Sequence, residues 1–225
     1  MKKLCSILLF LVIARTTYAQ SVALNLYGGY TFQDHVTMGY YNSYNNYGYL
    51  NASGQFGAGL EFYLRRYSSV ELSYQYMGTH APFYDYVGQT NPGNDKASLN
   101  YILVNFNEYF STPGPVVPYI SGGVGVGIAD FHYYETTSNS ITKFAWNIRG
   151  GVKIRTHSVV QIKLHAYLQS MVDAVGYGYY PGEVVTYATM LQFGLGGALS
   201  FRFGGTHGGG GGGRRTQSTT SYYYY

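Results

Sequence analysis

Between Val22 and Phe203 the chain alternates apolar and polar residues with a period of two, in eight runs. They fall near 22–32, 55–65, 69–77, 99–110, 118–130, 143–155, 159–169 and 187–203. Each run predicts a β-strand with one apolar face. Phe56, Ala58, Leu60 and Phe62 show this in the second run, Val70, Leu72, Tyr74 and Tyr76 in the third, and Val160, Ile162, Leu164 and Ala166 in the seventh. The opposite faces carry Asn25, Gln55, Glu61, Glu71, Asn105, Arg149, Lys163 and many glycines, among them Gly57, Gly59, Gly123, Gly125 and Gly194.

Alternation alone fits a soluble barrel, with its apolar face inside, or a membrane barrel, with that face outside. Three features favour the membrane version. The apolar faces are almost free of charge, with Glu108 the exception at a strand end. The polar faces are rich in glycine, which weakens a strand but leaves room in a crowded lumen. Aromatics gather near strand ends, with Tyr30, Phe32, Tyr76, Phe144, Trp146 and Tyr187 at one level and Phe110, Phe201 and Phe203 at the other, as at bilayer interfaces. Val124 and Ile162 are expected to face lipid near the middle of their strands.

The connections alternate in length. Short ones surround Tyr67-Ser68, Ser111 to Val117 and Thr156 to Ser158; long ones cover about 33–54, 78–98, 131–142 and 170–186. In outer-membrane barrels the short turns are periplasmic and the long loops extracellular. The pattern therefore predicts an all-β fold: an eight-stranded antiparallel transmembrane β-barrel over residues 20–203, with both termini in the periplasm.

The flanks differ from this body. Residues 1–19 combine the basic Lys2-Lys3, the apolar Leu4 to Ile13 and a small-residue ending at Ala19, which reads as a signal peptide cut before Gln20. Residues 204–225 hold Gly208 to Gly213, Arg214-Arg215 and Tyr222 to Tyr225, which predicts a flexible, disordered periplasmic tail without a core.

Composition narrows function. Charged residues are 11% and aromatics 18%, with 28 tyrosines and 31 glycines; about 25% charge is ordinary for soluble domains. Of 14 Lys+Arg, Lys2, Lys3 and Arg15 belong to the leader, which leaves 11 against 10 Asp+Glu. Without a basic excess, no nucleic-acid partner is expected. The only cysteine, Cys5, also lies in the leader, so no disulfide framework is expected.

The opening Leu24-Asn25-Leu26-Tyr27-Gly28-Gly29-Tyr30, the run Gly122-Gly123-Val124-Gly125-Val126-Gly127 and the closing Leu195-Gly196-Gly197-Ala198-Leu199-Ser200-Phe201-Arg202-Phe203 carry a family resemblance. Over residues 20–203 the chain resembles the small eight-stranded outer-membrane barrels, the OmpA/OmpX-like group, in the porin-like form of the Bacteroidetes. The resemblance implies a cell-outer-membrane location, outer-membrane lipid as surroundings and the barrel-assembly machinery as a partner. It also implies that Leu195, Leu199, Phe201 and Phe203 form the assembly signal that this machinery reads. The shortest members end at that phenylalanine, whereas this chain continues.

Two groups of residues are candidate sites. Glu61, Arg65, Glu71, Arg149, Lys153, Lys163, His165 and Arg202 share the inward phase. In an interior just wide enough for side chains they form either a salt-bridged plug or a narrow gate for ions or small solutes. Tyr40, Tyr41, Tyr44, Tyr47 and Tyr49, spaced by Asn, Ser and Gly, form a surface-contact loop of the composition that recognition loops use. No catalytic motif is present, and neither a metal nor another cofactor is expected. The expected function is a non-enzymatic outer-membrane protein that contributes to envelope integrity or surface contact. The alternatives are an adhesin or ligand receptor, a narrow pore, and an accessory part of an export or gliding apparatus. A surface ligand or a periplasmic partner of the tail goes with these readings.

Overall fold

The computed structural model describes residues 21–41, 44–84, 88, 95–134, 137–156, 158–177 and 186–203. Residues 1–20 and 204–225, where the signal peptide and the tail are expected, lie outside them. Eleven strands follow in order: β1 (Val22–Thr31), β2 (Asp34–Tyr41), β3 (Tyr44–Leu50), β4 (Ser53–Tyr63), β5 (Ser68–His80), β6 (Phe83–Tyr84), β7 (Lys96–Tyr109), β8 (Val116–Tyr134), β9 (Thr137–Ile154), β10 (Val160–Tyr177) and β11 (Thr186–Phe203). Eight close into an antiparallel barrel in the order β1-β11-β10-β9-β8-β7-β5-β4, while β2, β3 and β6 form a separate sheet. The first and last barrel strands seal the cylinder, with Val22 opposite Phe203 and Thr31 opposite Gly194. Closure leaves no barrel edge unpaired, which a strand bundle in hydrocarbon requires.

The apolar face points outward. In β5, Ser69, Glu71, Ser73 and Gln75 are buried, while Leu72, Tyr74 and Tyr76 between and beside them are exposed. Phe56 is 65% exposed, Val124 56% and Glu61 0%. An apolar surface this continuous belongs against lipid rather than water. Phe62, Phe106, Phe110 and Phe203 are exposed near the short-turn end, and Tyr30, Phe32, Tyr74, Tyr76 and Phe193 nearer the other. The side chain of Tyr187 lies outside the described residues. Glu108, at the strand end, accepts a hydrogen bond from Ser68 Oγ at 2.6 Å, so even this carboxylate on the outer phase is partnered.

Among the described residues, the long connections are themselves mostly strand. Residues 33–54 hold the β2–β3 pair; β8 continues to Tyr134 and β9 starts at Thr137; β10 continues to Tyr177. A bilayer needs about 9–11 residues per tilted strand, and β8 has 19. The apolar alternation fades where a strand leaves the lipid, so it reports the embedded part and stops short of the strand end. Ile162 is correspondingly only the third residue of β10, near the rim rather than the middle, whereas Val124 is central in β8.

Inside, the half of the lumen toward the long connections is apolar. Met77, Leu99, Tyr101, Leu103, Phe131, Met171 and Met190 form one buried cluster, and Leu50 of β3 joins it from above. Gly48 and Leu50 are buried on one face of the small sheet, which thereby caps this end. Backbone hydrogen bonds from Tyr49 to the Pro82 carbonyl (3.1 Å) and from Asn51 to the His80 carbonyl (2.9 Å) attach the cap to the wall. Asp34 Oδ2 accepts from the Leu191 amide at 2.9 Å on the other side.

Candidate functional site

Below the apolar layer lies a layer of glutamines. Gln55 donates to Gln75 at 2.8 Å and to Gln169 at 3.2 Å; Gln169 donates to Gln192 at 2.9 Å. Tyr101 Oη also donates to Gln192, at 2.9 Å. All four glutamines come from inward positions of β4, β5, β10 and β11 and are buried. Amides suit this place because each side chain both donates and accepts, so four of them link without a net charge.

The charged layer comes next, and Glu61 of β4 is its centre. Its Oε2 accepts from Lys163 Nζ at 2.7 Å and Asn25 Nδ2 at 3.1 Å. Its Oε1 accepts from Ser69 Oγ and Tyr109 Oη, both at 2.5 Å, and from Asn107 Nδ2 at 3.4 Å. A fully buried carboxylate needs this many donors to replace water. Glu71 Oε1 accepts from Tyr27 Oη at 2.5 Å and Asn25 Nδ2 at 3.2 Å, and its Oε2 lies 3.9 Å from Arg149 Nη1. Arg149 also stacks over Tyr27, with Cζ 5.0 Å from the ring centroid. His165 Nδ1 is 3.1 Å from Tyr119 Oη. Two acids and two bases thus balance in the barrel centre.

Glycine makes this layer fit. A Cβ on Gly59 would collide with the Glu71 carboxylate, and one on Gly123 with Asn105 and Asn147. Gly59 and Gly123 are therefore the space that polar side chains of neighbouring strands occupy.

The eight residues grouped by inward phase divide in two. Glu61, Glu71, Arg149, Lys163 and His165 meet in the buried layer. Lys153, Arg65 and Arg202 instead line a cavity of about 640 Å³ that opens at the short-turn end. Lys153 Nζ donates to Tyr63 Oη at 2.5 Å, and Arg202 donates to Ser21 Oγ at 2.9 Å. Arg65 is exposed, because β4 ends at Tyr63 and the turn that follows breaks the alternation; it makes no contact with the buried acids. Sequence reasoning missed Tyr27, Asn25, Asn107, Ser69 and Tyr109 as partners of the two glutamates. Their shared inward phase was the available signal.

Of the tyrosine group, Tyr40 and Tyr41 lie in β2 and Tyr44 in β3, and their side chains fall outside the described residues. Tyr47 and Tyr49 are described. They share the outer face of the cap with His35 and Tyr84: Tyr47 and Tyr84 stack with centroids 5.3 Å apart, and His35 meets Tyr49 at 5.1 Å. Leu195, Leu199, Phe201 and Phe203 alternate on the outer face of β11, with Phe203 at its end.

The geometry is that of a filled, closed cylinder with an apolar exterior, and solved structures with this form exist. The outer membrane protein OprG from Pseudomonas aeruginosa superposes with a TM-score of 0.58 at 10% identity, over 83% of this chain and 97% of that one. Neisserial surface protein A (NspA) gives 0.50 at 14% identity, over 82% and 97%. The outer membrane protein AlkL, solved in DMPC lipid bilayers, gives 0.50 at 12% identity, over 84% and 92%. This chain has the fold of the small outer-membrane β-barrels. No protein-family model and no curated protein sequence matches it. The likeness extends to the barrel and not to a particular chemistry, because fold does not fix function. The filled lumen, the cap and the basic cavity are the features from which this chain's chemistry is read.

Proposed function

We propose that the protein is a non-enzymatic, closed outer-membrane barrel that contributes to envelope integrity and presents a capped surface. The observation that carries this reading is the stack of three side-chain layers across the lumen: the Glu61–Lys163 and Glu71–Arg149 groups, the four glutamines and the methionine-rich cluster. In an eight-stranded barrel such layers fill the bore. In this reading the chain is exported with its leader removed before Gln20. It is inserted by the barrel-assembly machinery reading Leu195 to Phe203, and it stands with the short turns and both ends in the periplasm. Its opening and closing strand residues favour a place beside the porin-like barrels of the Bacteroidetes.

The test is single-channel recording in planar bilayers. The purified barrel is expected to show no large steady conductance. A stable open conductance would replace the plug by a pore.

A second reading, surface contact, is favoured by the aromatic face of the cap. His35, Tyr47, Tyr49 and Tyr84 group on the side of the sheet opposite Leu50. Aromatic rings offer contact area at low conformational cost. Tyr47→Ser is expected to weaken adhesion of whole cells to a glycan or cell surface without lowering the amount of barrel in the membrane. Unchanged adhesion would remove this reading.

A further inference from the structure

The cavity at the short-turn end has a charge balance unlike the rest of the lumen. Arg65, Arg66, Lys153, Arg155 and Arg202 all line it, and no carboxylate does. None of the five lies within 4 Å of a carboxylate among the described ion pairs, which use Lys163, Arg149 and His80 instead. Their partners are neutral: Lys153 holds Tyr63 Oη and lies 4.8 Å from the Tyr63 and Tyr109 ring centroids, and Arg202 Cζ lies 5.1 Å from the Tyr63 ring centroid. Glu61 acts on Lys153 through space but is itself paired with Lys163, so the five cations outnumber the nearby carboxylate. Concentrated positive charge in a concave site with low-dielectric walls attracts and retains anions. The volume, about 640 Å³, suits a small organic ligand.

A second observation concerns Gln161. It lines the same cavity, is only 8% exposed, and its Oε1 accepts no hydrogen bond. A buried acceptor of this kind asks for a donor. A ligand that satisfies the whole wall therefore needs several anionic oxygens and at least one hydroxyl.

We propose that this vestibule binds a small phosphate ester that carries hydroxyl groups. A phosphate presents three anionic oxygens to guanidinium and ammonium groups converging from different strands, and charge-assisted bonds of that type are the strong ones. The ester's hydroxyls match Gln161. Lys153 and Gln161 are buried on the lumen side, at 5% and 8% exposure, so the phosphate that reaches them arrives along the barrel axis from water. A lipid headgroup outside the wall has access only to the rim arginines.

Isothermal titration calorimetry tests this with the full chain folded in zwitterionic detergent, glycerol 3-phosphate as probe and glycerol as uncharged control. The expected result is one-to-one binding of the phosphate ester and none of glycerol. Lys153→Met and Arg202→Gln should each weaken binding about tenfold, and raised salt should weaken it further, because screening shortens the reach of charge. Arg155→Gln, on the exposed turn, gives a third variant that leaves the buried layers untouched, and heat-modifiable gel migration reports the folding of each. Absence of binding by the unmodified barrel overturns the proposal, as does binding that ignores all three substitutions. The same titration in nanodiscs of phosphatidylcholine with or without phosphatidylglycerol separates the two sources of phosphate. Occupancy by the lipid alone, with no uptake of the soluble ester, would move the site to the rim and overturn the lumenal assignment.

Discussion

Lys163 Nζ lies 2.7 Å from Glu61 Oε2, and the two residues are 102 positions apart in the chain. The contact crosses the barrel interior rather than a strand pair, because β4 and β10 are not neighbours in the sheet. Both side chains are essentially unexposed. Removing one partner therefore leaves the other buried and unpaired, at a cost of about 3–5 kcal/mol. Glu61→Gln and Lys163→Met are each expected to lower the midpoint of urea unfolding in detergent. The double variant Glu61→Gln/Lys163→Met should lose less than the two singles together. Strict additivity of the singles would show that the pair does not couple.

Depth in the membrane should grade the cost of charge on the outer face. Val124 is central in β8 and faces outward, so Val124→Arg should add about 2–4 kcal/mol and block assembly. Val116, at the start of the same strand, and Ile162, near the start of β10, sit at the short-turn rim. Arginine there should cost about 0–1 kcal/mol and be tolerated. Equal yields of folded Val124→Arg and Ile162→Arg, read by heat-modifiable migration, would place the apolar belt elsewhere.

The sequence made the exterior legible because lipid imposes a strict period of two on it. Leu72, Tyr74 and Tyr76 announce their face without help from tertiary structure. The upper lumen was not legible for the opposite reason. In β7, Leu99, Tyr101 and Leu103 point inward while Ile102 and Val104 point outward, so both faces are apolar and alternation is silent. The cap was hidden by composition: Tyr, Asn and Gly look like loop, yet Tyr and Thr also favour strands once a neighbour supplies hydrogen bonds. Arg65 illustrates the limit of parity. Counting by twos from Glu61 puts it inside, but the strand ends at Tyr63 and the turn carries it to the surface. The charged candidates were all identified from one phase, and which of them touch depends on the distance across the barrel, which no local pattern records.

The layered lumen predicts a seal with redundancy. Glu71→Gln removes the charge opposite Arg149 and should lower thermal stability, but the glutamine and methionine layers still fill the bore. Conductance should therefore remain near the unmodified level in Glu71→Gln. It should rise only when a second layer is also cut, as in Glu71→Gln with Gln169→Ala and Met171→Ala. A large conductance from Glu71→Gln alone would assign the whole seal to the charged layer.

The cap depends on Leu50, which is 2% exposed and packs with Met77, Leu99 and Phe131. Leu50→Ala removes that anchor; truncations of buried leucine cost about 2–5 kcal/mol. Because the cap is a sheet separate from the barrel, the loss should stay local. Limited proteolysis is expected to speed up within residues 33–52 while the barrel stays folded by gel migration. Unchanged cleavage of this segment would mean that Asp34 and the backbone bonds of Tyr49 and Asn51 hold the cap unaided.

Closure of the barrel sets the last expectation. β11 pairs with β1 along its length toward the short-turn end, from Gly194 opposite Thr31 to Phe203 opposite Val22. Phe203 is the final residue of that ladder and is 58% exposed on the outer face. Every residue needed to close the sheet is thus in place by position 203. A chain stopped after Phe203 is expected to insert as well as the full chain, because no paired residue and no lipid-facing side chain has been taken away. Phe203→Ala in the full chain should lower insertion by purified assembly machinery into lipid vesicles. It removes an interfacial aromatic from the strand proposed as the assembly signal. Leu199→Ala, on the same face and opposite Leu26 in the ladder, provides the comparison: it should reduce stability after insertion more than the rate of insertion itself. If the truncated chain fails to insert while Phe203→Ala behaves as the unmodified protein, the signal lies in residues 204–225, and the role given to Leu195, Leu199, Phe201 and Phe203 is withdrawn.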